Sequence, residues 1–226
     1  PVPRAAKMTD VPGHTAALAM AFASAGGNFF QIGTNPESRM PHVPPLFWWE
    51  LPDEQRILVH YHGAYGTPLL PPDDWAYDHW LAIQITSDNV GPQGLALLDH
   101  VAWIERHFDA PVCRTGPLES FADAIIKRHG KALPKVEKEF TDWWIHGIAS
   151  QARHTATARE DKERLPDIEA LATATGWANG KEIPKDIRET VGRAYDQLAL
   201  YTEHTWGDHA TDMRTALPKG NLYTSN

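Results

Sequence analysis

Two acidic residues and one histidine stand where they could carry chemistry. Asp10 follows the extended run RAAKMT and precedes a helix, and Asp88 follows the apolar run LAIQIT in the same way. In α/β folds, active sites form at the carboxyl ends of the strands, so the two carboxylates can meet there. His204 continues the apolar stripe of the last helix. A core-facing imidazole needs a hydrogen-bond donor or a metal ion, so this pattern indicates a polar site.

Each of these residues also has an ordinary structural explanation. Asp10 can cap the following helix or form a turn beside Val11. Asp88 can form an Asx turn with Gly91. His204 can be a core histidine whose hydrogen bonds are satisfied within the fold. The residue pattern alone leaves both explanations open.

The elements that would position these residues alternate between strand and helix. Strands are predicted for residues 29–33, 56–62 and 81–86, from compact apolar runs bounded by turn residues. Helices are predicted for residues 15–25 and 117–129, from the spacing of their apolar residues. This alternation is typical of an α/β fold with a parallel sheet.

The alternation ends before Ser150. Residues 150–174 are strongly helical, and a last helix is predicted from about Pro184 to Gly207. Its apolar residues follow spacings of four and three, which predicts one buried face: Ile187, Val191, Ala194, Leu198 and Tyr201. We therefore expect a barrel-like α/β region over residues 1–150 and a helical bundle over residues 151–226.

Composition limits the partners and the compartment. The formal net charge is −8, and no run of Lys and Arg is longer than two residues, so neither nucleic acid nor an anionic membrane is an expected partner. The single cysteine, Cys113, excludes an internal disulfide framework and fits a reducing compartment. No signal peptide or membrane-spanning run is visible. We therefore expect a cytoplasmic protein.

Three blocks of the chain resemble, in the same order, the α-mannosidases of glycoside hydrolase family 38. The stretch MTDVPGHTAALAMAFASAGGNFFQIGTN resembles that family's strand, Asp-x-x-Gly-His-Ser/Thr turn and helix. LPKVEKEFTDWWIHGIASQARHTATARE resembles the segment that leads from barrel to bundle, and ALYTEHTWG resembles a zinc-binding bundle helix. The resemblance implies part of a (β/α) barrel followed by a helical bundle, and a zinc-dependent retaining glycosidase that acts on carbohydrate.

The resemblance also implies a role for each matching residue. Asp10 would be both the nucleophile and a zinc ligand, and His204 would be a second zinc ligand. Asp88 is the nearest match to the general acid, with Asn89 as the alternative in the same turn. Retaining glycosidases place the two carboxyl groups about 5 Å apart. Three further residues match positions that contact the substrate: Asn35, Tyr61 and Thr205.

This sequence departs from the family pattern in three places. Thr205 stands where the family has an Asp that contacts sugar hydroxyls, and Pro12 stands where it has an aromatic residue. The family's other two zinc ligands come from an early His-x-Asp, whereas residues 1–9 contain no histidine. A catalytic zinc ion needs three or more protein ligands. We therefore expect a missing N-terminal part of the same protein to supply the remaining ligands.

Two other functions compete with this interpretation. His60 and His62 have the i, i+2 spacing that places both on one face of a strand, where they could bind the metal ion of a different hydrolase. Alternatively, the domain could be a non-catalytic carbohydrate-binding remnant of a glycosidase, because a fold does not settle a function.

Overall fold

The computed structural model describes residues 2–11, 13–36, 40–86, 91–109, 112–140 and 151–202. Within these ranges the chain forms five strands and five helices. The strands are β1 (Ala5–Asp10), β2 (Phe29–Thr34), β3 (Leu46–Glu50), β4 (Arg56–His62) and β5 (Lys135–Val136). The helices are α1 (Ala16–Ser24), α2 (Ala96–His107), α3 (Leu118–His129), α4 (Ala152–Ala178) and α5 (Lys185–Tyr201). The chain divides into two compact units, Pro1–Asp142 and Trp143–Asn226.

The strands of the first unit form one mostly parallel sheet in the order β1-β2-β4-β3-β5. β1, β2 and β4 run parallel, which confirms the predicted α/β class and the parallel pairing of residues 29–33 with 56–62. β3 runs antiparallel to β4, because the short connection between them permits only a hairpin. Asp10 pairs with Thr34, and Gly33 pairs with His62, so the three parallel strands end at one edge.

Each face of the sheet carries its own hydrophobic core. Alternate residues of each strand point to opposite faces, so neighbouring side chains enter different cores. On one face the core contains Phe30, Ile32, Phe47, Trp49, Val59, Tyr61 and Phe140, packed with α1. On the other face it contains Phe29, Leu46, Trp48 and Leu58, packed with Phe121 and Ile125 of α3. Because consecutive residues of β2, β3 and β4 are buried on both faces, these three strands form the centre of the sheet.

Helix α1 begins and ends where its sequence predicts. The Thr15 side chain caps it by accepting from the Ala17 N–H, and Glu139 accepts from both the Thr15 hydroxyl and the Ala16 N–H at 2.9 Å. Gly26 follows the helix with φ +91, a left-handed conformation that glycine adopts easily. Because Thr15 is the cap, the capping explanation for Asp10 is wrong.

Residues 81–86 do not form the strand that their sequence predicts. Their backbone groups bond instead to Thr67: the Thr67 N–H donates to the Ile83 carbonyl at 2.8 Å, and its hydroxyl donates to the Leu81 carbonyl at 2.7 Å. The Thr67 hydroxyl oxygen also accepts from the Ile83 N–H at 2.7 Å. These bonds use groups that a sheet partner would need, so the segment packs on the loop after β4.

The second unit contains α4 and α5 as an antiparallel pair. The Thr155 hydroxyl lies 2.7 Å from the Tyr201 hydroxyl, and the Tyr195 hydroxyl donates to Glu169 at 2.9 Å. The prediction of a buried stripe on α5 is wrong for the described residues: Val191, Ala194, Leu198 and Tyr201 are half-buried, Ile187 is exposed, and no residue of α5 is buried. At 27 residues α4 is long, yet no helix in the described ranges is apolar enough over sufficient length to cross a membrane.

Candidate functional site

The ends of β1 and β2 bring two of the predicted site residues into contact. Nδ2 of Asn35 donates to Oδ1 of Asp10 at 2.9 Å, and the Asn35 backbone N–H donates to the Asp10 carbonyl at 3.0 Å. The strand register explains this contact, because Asp10 lies opposite Thr34 and Asn35 is the next residue. Main chain and side chain therefore both fix the asparagine against the carboxylate.

Tyr65 joins the same group from the loop that follows β4. Its hydroxyl donates to Oδ1 of Asp10 at 2.6 Å and accepts from Nδ2 of Asn35 at 2.9 Å. The first distance is that of a charge-assisted hydrogen bond to a carboxylate. We call Asp10, Asn35 and Tyr65 the edge cluster. Two donors on a single oxygen restrict the orientation of the Asp10 carboxylate.

The sequence did not indicate Tyr65 as a site residue. It lies in a Gly- and Pro-rich tract that predicts no regular element, and its contact with Asp10 spans 55 residues. The available signal was its position shortly after a predicted parallel strand, at the edge where Asp10 and Asn35 are also expected.

The backbone of Asp10 has an uncommon conformation. Its φ of 75° lies in the left-handed region, which aspartate and asparagine tolerate better than other side chains that have a Cβ. The following residue, Val11, donates its N–H to the Thr9 carbonyl at 2.9 Å and so closes a tight turn. This turn ends β1 and presents the carboxylate to the edge cluster.

His14 lies near this turn but is enclosed by the core. It is 3% exposed, and neither ring nitrogen has a hydrogen-bond partner among the described residues. Its ring makes edge contacts with Phe30 and Tyr61, at centroid distances of 5.8 and 6.3 Å. Burial lowers the pKa of His14 to about 4, so the ring is neutral at pH 7.

Tyr61, a predicted substrate contact, is also part of the core. Its side chain is 2% exposed, and its ring packs against Phe140 with the centroids 5.5 Å apart. The sheet alternation explains this placement, because Tyr61 shares its face with Val59 and Ile57. The structure therefore brings Asn35 to Asp10 and places Tyr61 beneath the surface.

His60 and His62 point to the same face of β4, as their spacing predicts. Their ring centroids are 5.3 Å apart. Nε2 of His62 lies 2.6 Å from the Gln31 amide nitrogen, so a neutral His62 accepts this hydrogen bond. Burial, followed by the charge of Lys7, lowers the pKa of His62 to about 4.

His60 is the more enclosed of the two histidines. It is 1% exposed, and its ring contacts those of Trp75, Trp80 and Phe121. Burial, followed by repulsion from His62, lowers the pKa of His60 to about 3. In the described part of the chain, no three His, Cys, Asp or Glu residues are grouped so that they could hold a metal ion, so no third ligand joins this pair there.

The other predicted site residues lie outside the described residues. These are Asp88 with its alternative Asn89, and His204 and Thr205. Asp10 is thus the one member of the predicted zinc site within the described ranges, whereas a catalytic zinc ion needs at least three protein ligands. The described residues do not by themselves form a zinc site.

Comparisons of the chain with protein-family models, with curated proteins and with solved structures find no match. The edge cluster and the three sequence blocks therefore carry the functional argument. The cluster combines a carboxylate at the end of a parallel strand, two donors that orient it and a strained backbone. This combination suits a carboxylate that acts in a fixed direction.

Proposed function

We propose that this chain is part or all of the catalytic region of a retaining glycoside hydrolase similar to the α-mannosidases of family 38. The observation that supports this most is the carboxylate of Asp10, held at the end of β1 by Tyr65 and Asn35. A retaining hydrolase needs a carboxylate that attacks the anomeric carbon from one direction. The match between this residue and the nucleophile position of the resembling block selects Asp10 for that role.

In the proposed mechanism, Asp10 attacks the anomeric carbon and the bond to the leaving oxygen breaks. Asp88 protonates that oxygen and then takes a proton from the water that hydrolyses the glycosyl ester of Asp10. The negative charge on Asp10 disappears as the ester forms and returns on hydrolysis. The hydrogen bond from Tyr65 is strongest when the charge is present, so it holds the carboxylate ready for attack.

The proposal extends to the finer architecture and to the cofactor. We propose that β1, β2 and β4 belong to a (β/α) barrel and that α4 and α5 belong to a helical bundle. We also propose a zinc ion that binds Asp10, His204 and at least one further protein ligand. Such an ion would act as a Lewis acid that holds vicinal sugar hydroxyls. Thr205 and Asn35 would contact the sugar.

The nucleophile can be tested in the full-length protein with an activated aryl glycoside. Asp10→Asn should lower turnover by about 10³-fold or more while much of the sugar binding persists. Asp10→Gly suits the backbone φ of 75° and leaves space for added azide. Azide should then attack the anomeric carbon, expel the phenolate and give a glycosyl azide of inverted configuration.

Asp53 provides the matched control for these variants. It is an exposed aspartate with φ 58, in the turn between β3 and β4. Asp53→Asn and Asp53→Gly should leave turnover unchanged. Full turnover in Asp10→Asn would refute the proposed nucleophile.

Metal analysis and sugar binding separate the competing functions. Stoichiometric zinc that is lost in His204→Ala, together with activity, supports the proposed hydrolase. Sugar binding without turnover in the parent protein favours the non-catalytic carbohydrate-binding remnant. Zinc that is lost only in His60→Ala or His62→Ala favours the other metal-dependent hydrolase.

A further inference from the structure

Gly33 lies where the loop after β4 crosses β2. It pairs with Thr9 of β1 and His62 of β4. A Cβ placed on Gly33 would overlap the carbonyl oxygen of Ala64 and would lie 3.1 Å from Cε1 of His62. The φ of Gly33 is not in the left-handed region, so the backbone conformation does not require glycine. The close approach of the Ala64 backbone does require it.

Gly66 makes a second crossing of the same kind. A Cβ placed on Gly66 would overlap the carbonyl oxygen of Ile83 and would lie 3.0 Å from Cγ1 of Ile85. The next residue, Thr67, bonds to this segment by its backbone and its hydroxyl. Both potential overlaps involve backbone oxygens, which cannot turn aside as the end of a flexible side chain can.

Tyr65 lies between these two crossings. The Ala64 backbone rests on Gly33 on one side, and Gly66 fits beneath Ile83 on the other. The path of the loop is therefore restricted on both sides of the tyrosine, by β2 before it and by Ile83 after it. A shift on the order of 1 Å would take the bond from Tyr65 to Asp10 beyond hydrogen-bonding distance.

We propose that Gly33 and Gly66 are positioning residues for the edge cluster. The missing side chain of Gly33 lets the Ala64 backbone lie close to β2, and that of Gly66 lets the Ile83 backbone lie close to the loop. The two contacts together place the Tyr65 hydroxyl 2.6 Å from Asp10. The catalytic consequence rests on the proposed hydrolase function, whereas the positioning role does not. Neither glycine contacts the carboxylate in the hydrogen bonds of the cluster, so both act through Tyr65.

A double-mutant cycle measures this positioning directly. The unfolding equilibrium constant is measured in urea for Tyr65→Phe, for Asp10→Gly and for the double variant. The coupling between the two side chains is the factor by which the double variant departs from the product of the two single effects. We expect a coupling of about tenfold in the parent protein, as for a hydrogen bond to a charged group. In the Gly33→Ala background the coupling factor should fall to about one, which means that the two side chains no longer interact.

Gly63→Ala is the matched control within the same loop. A Cβ on Gly63 would lie 3.1 Å from Sδ of Met40, the movable end of a side chain. The coupling between Tyr65 and Asp10 should therefore persist in this background. A general loss of stability would lower the free energy of unfolding of all variants without removing the coupling. The cycle therefore separates positioning from a merely structural role.

Coupling that persists in Gly33→Ala, or that is absent in the parent, overturns the proposal. If Gly33→Ala does not unfold cooperatively, Gly66→Ala replaces it with the same expectation. In the hydrolase assay Gly33→Ala should lower kcat by about 100-fold, as for a misplaced catalytic group. If the parent shows no hydrolase activity but its coupling is lost in Gly33→Ala, the hydrolase proposal fails and the positioning role stands.

Discussion

The Tyr65 hydroxyl donates a 2.6 Å hydrogen bond to Oδ1 of Asp10, 55 residues earlier in the chain. Tyr65→Phe removes this donor and also the hydroxyl oxygen that accepts from Nδ2 of Asn35 at 2.9 Å, so we expect a loss of about 1–2 kcal/mol in the free energy of unfolding. If Asp10 is the nucleophile, kcat should fall as well. Urea unfolding and steady-state kinetics measure the two effects.

Tyr195→Phe is the control for that substitution. Its hydroxyl also donates to a carboxylate, that of Glu169 at 2.9 Å, but this pair is exposed on the two-helix unit. Exposed pairs contribute little, so we expect a smaller loss of stability and no change in kcat. Equal losses in the two variants would argue against a special role for the bond to Asp10.

The burial of His60 predicts a pH-dependent stability. Its pKa is about 3 in the folded protein and ordinarily 6.5, so between these values the unfolded chain binds more protons. The free energy of unfolding should therefore fall as the pH falls from 6.5. His60→Leu removes this contribution. In this variant the free energy of unfolding should depend less steeply on pH, by up to about 1.4 kcal/mol per pH unit.

Urea unfolding between pH 7.5 and about pH 5 tests this expectation. Exposed His154 offers the control, since His154→Gln should keep the slope of the parent. Because Nδ1 of His60 is buried without a hydrogen-bond partner among the described residues, His60→Leu should cost little at pH 7.5. An unchanged slope in His60→Leu would contradict the neutral, buried histidine.

Lys7 and His62 provide an electrostatic test. Burial is the larger cause of the low pKa of His62, about 4, and the charge of Lys7 is the second. Lys7→Met should therefore raise the pKa of His62 without restoring its ordinary value. An NMR titration of the imidazole measures this. Lys135→Met, which removes a partner of Glu50 at 3.1 Å, should leave the pKa of His62 unchanged.

Two prolines of the second unit should have different effects on the stability of their helices. Pro166 lies inside α4, where it removes a backbone hydrogen bond, whereas Pro184 stands at the N-cap of α5. Pro166→Ala should stabilise α4 by up to about 3 kcal/mol, and Pro184→Ala should give no gain. Hydrogen exchange of the helix amides measures both. Equal protection in the two variants would contradict this difference.

The parallel strands and α1 could be predicted because their signals are local. Apolar runs bounded by glycine and turn residues define β2 and β4, and Thr15 with Gly26 defines the helix. Strand β3 was less predictable, since its residues are buried on both faces and show no alternation. The prediction for residues 81–86 failed because Thr67, distant in sequence, takes their hydrogen bonds.

The candidate site was predictable in part for the same reason. Asp10 is the last residue of β1 and Asn35 directly follows β2, so the parallel register alone brings them together. Tyr65 reaches them through an irregular loop whose path depends on two backbone crossings. The only sign of such a crossing in the sequence is a glycine. A glycine in an irregular tract does not indicate which segment packs against it.

The left-handed backbone of Asp10 means that its position is selected twice, once by conformation and once by chemistry. Glycine and asparagine fit a φ of 75°, whereas β-branched residues do not. Saturation mutagenesis at position 10 should therefore yield two different rankings. Abundance of folded protein should favour glycine, asparagine and aspartate together, and turnover should favour aspartate alone. The difference between those rankings isolates what the carboxylate does from what the turn requires.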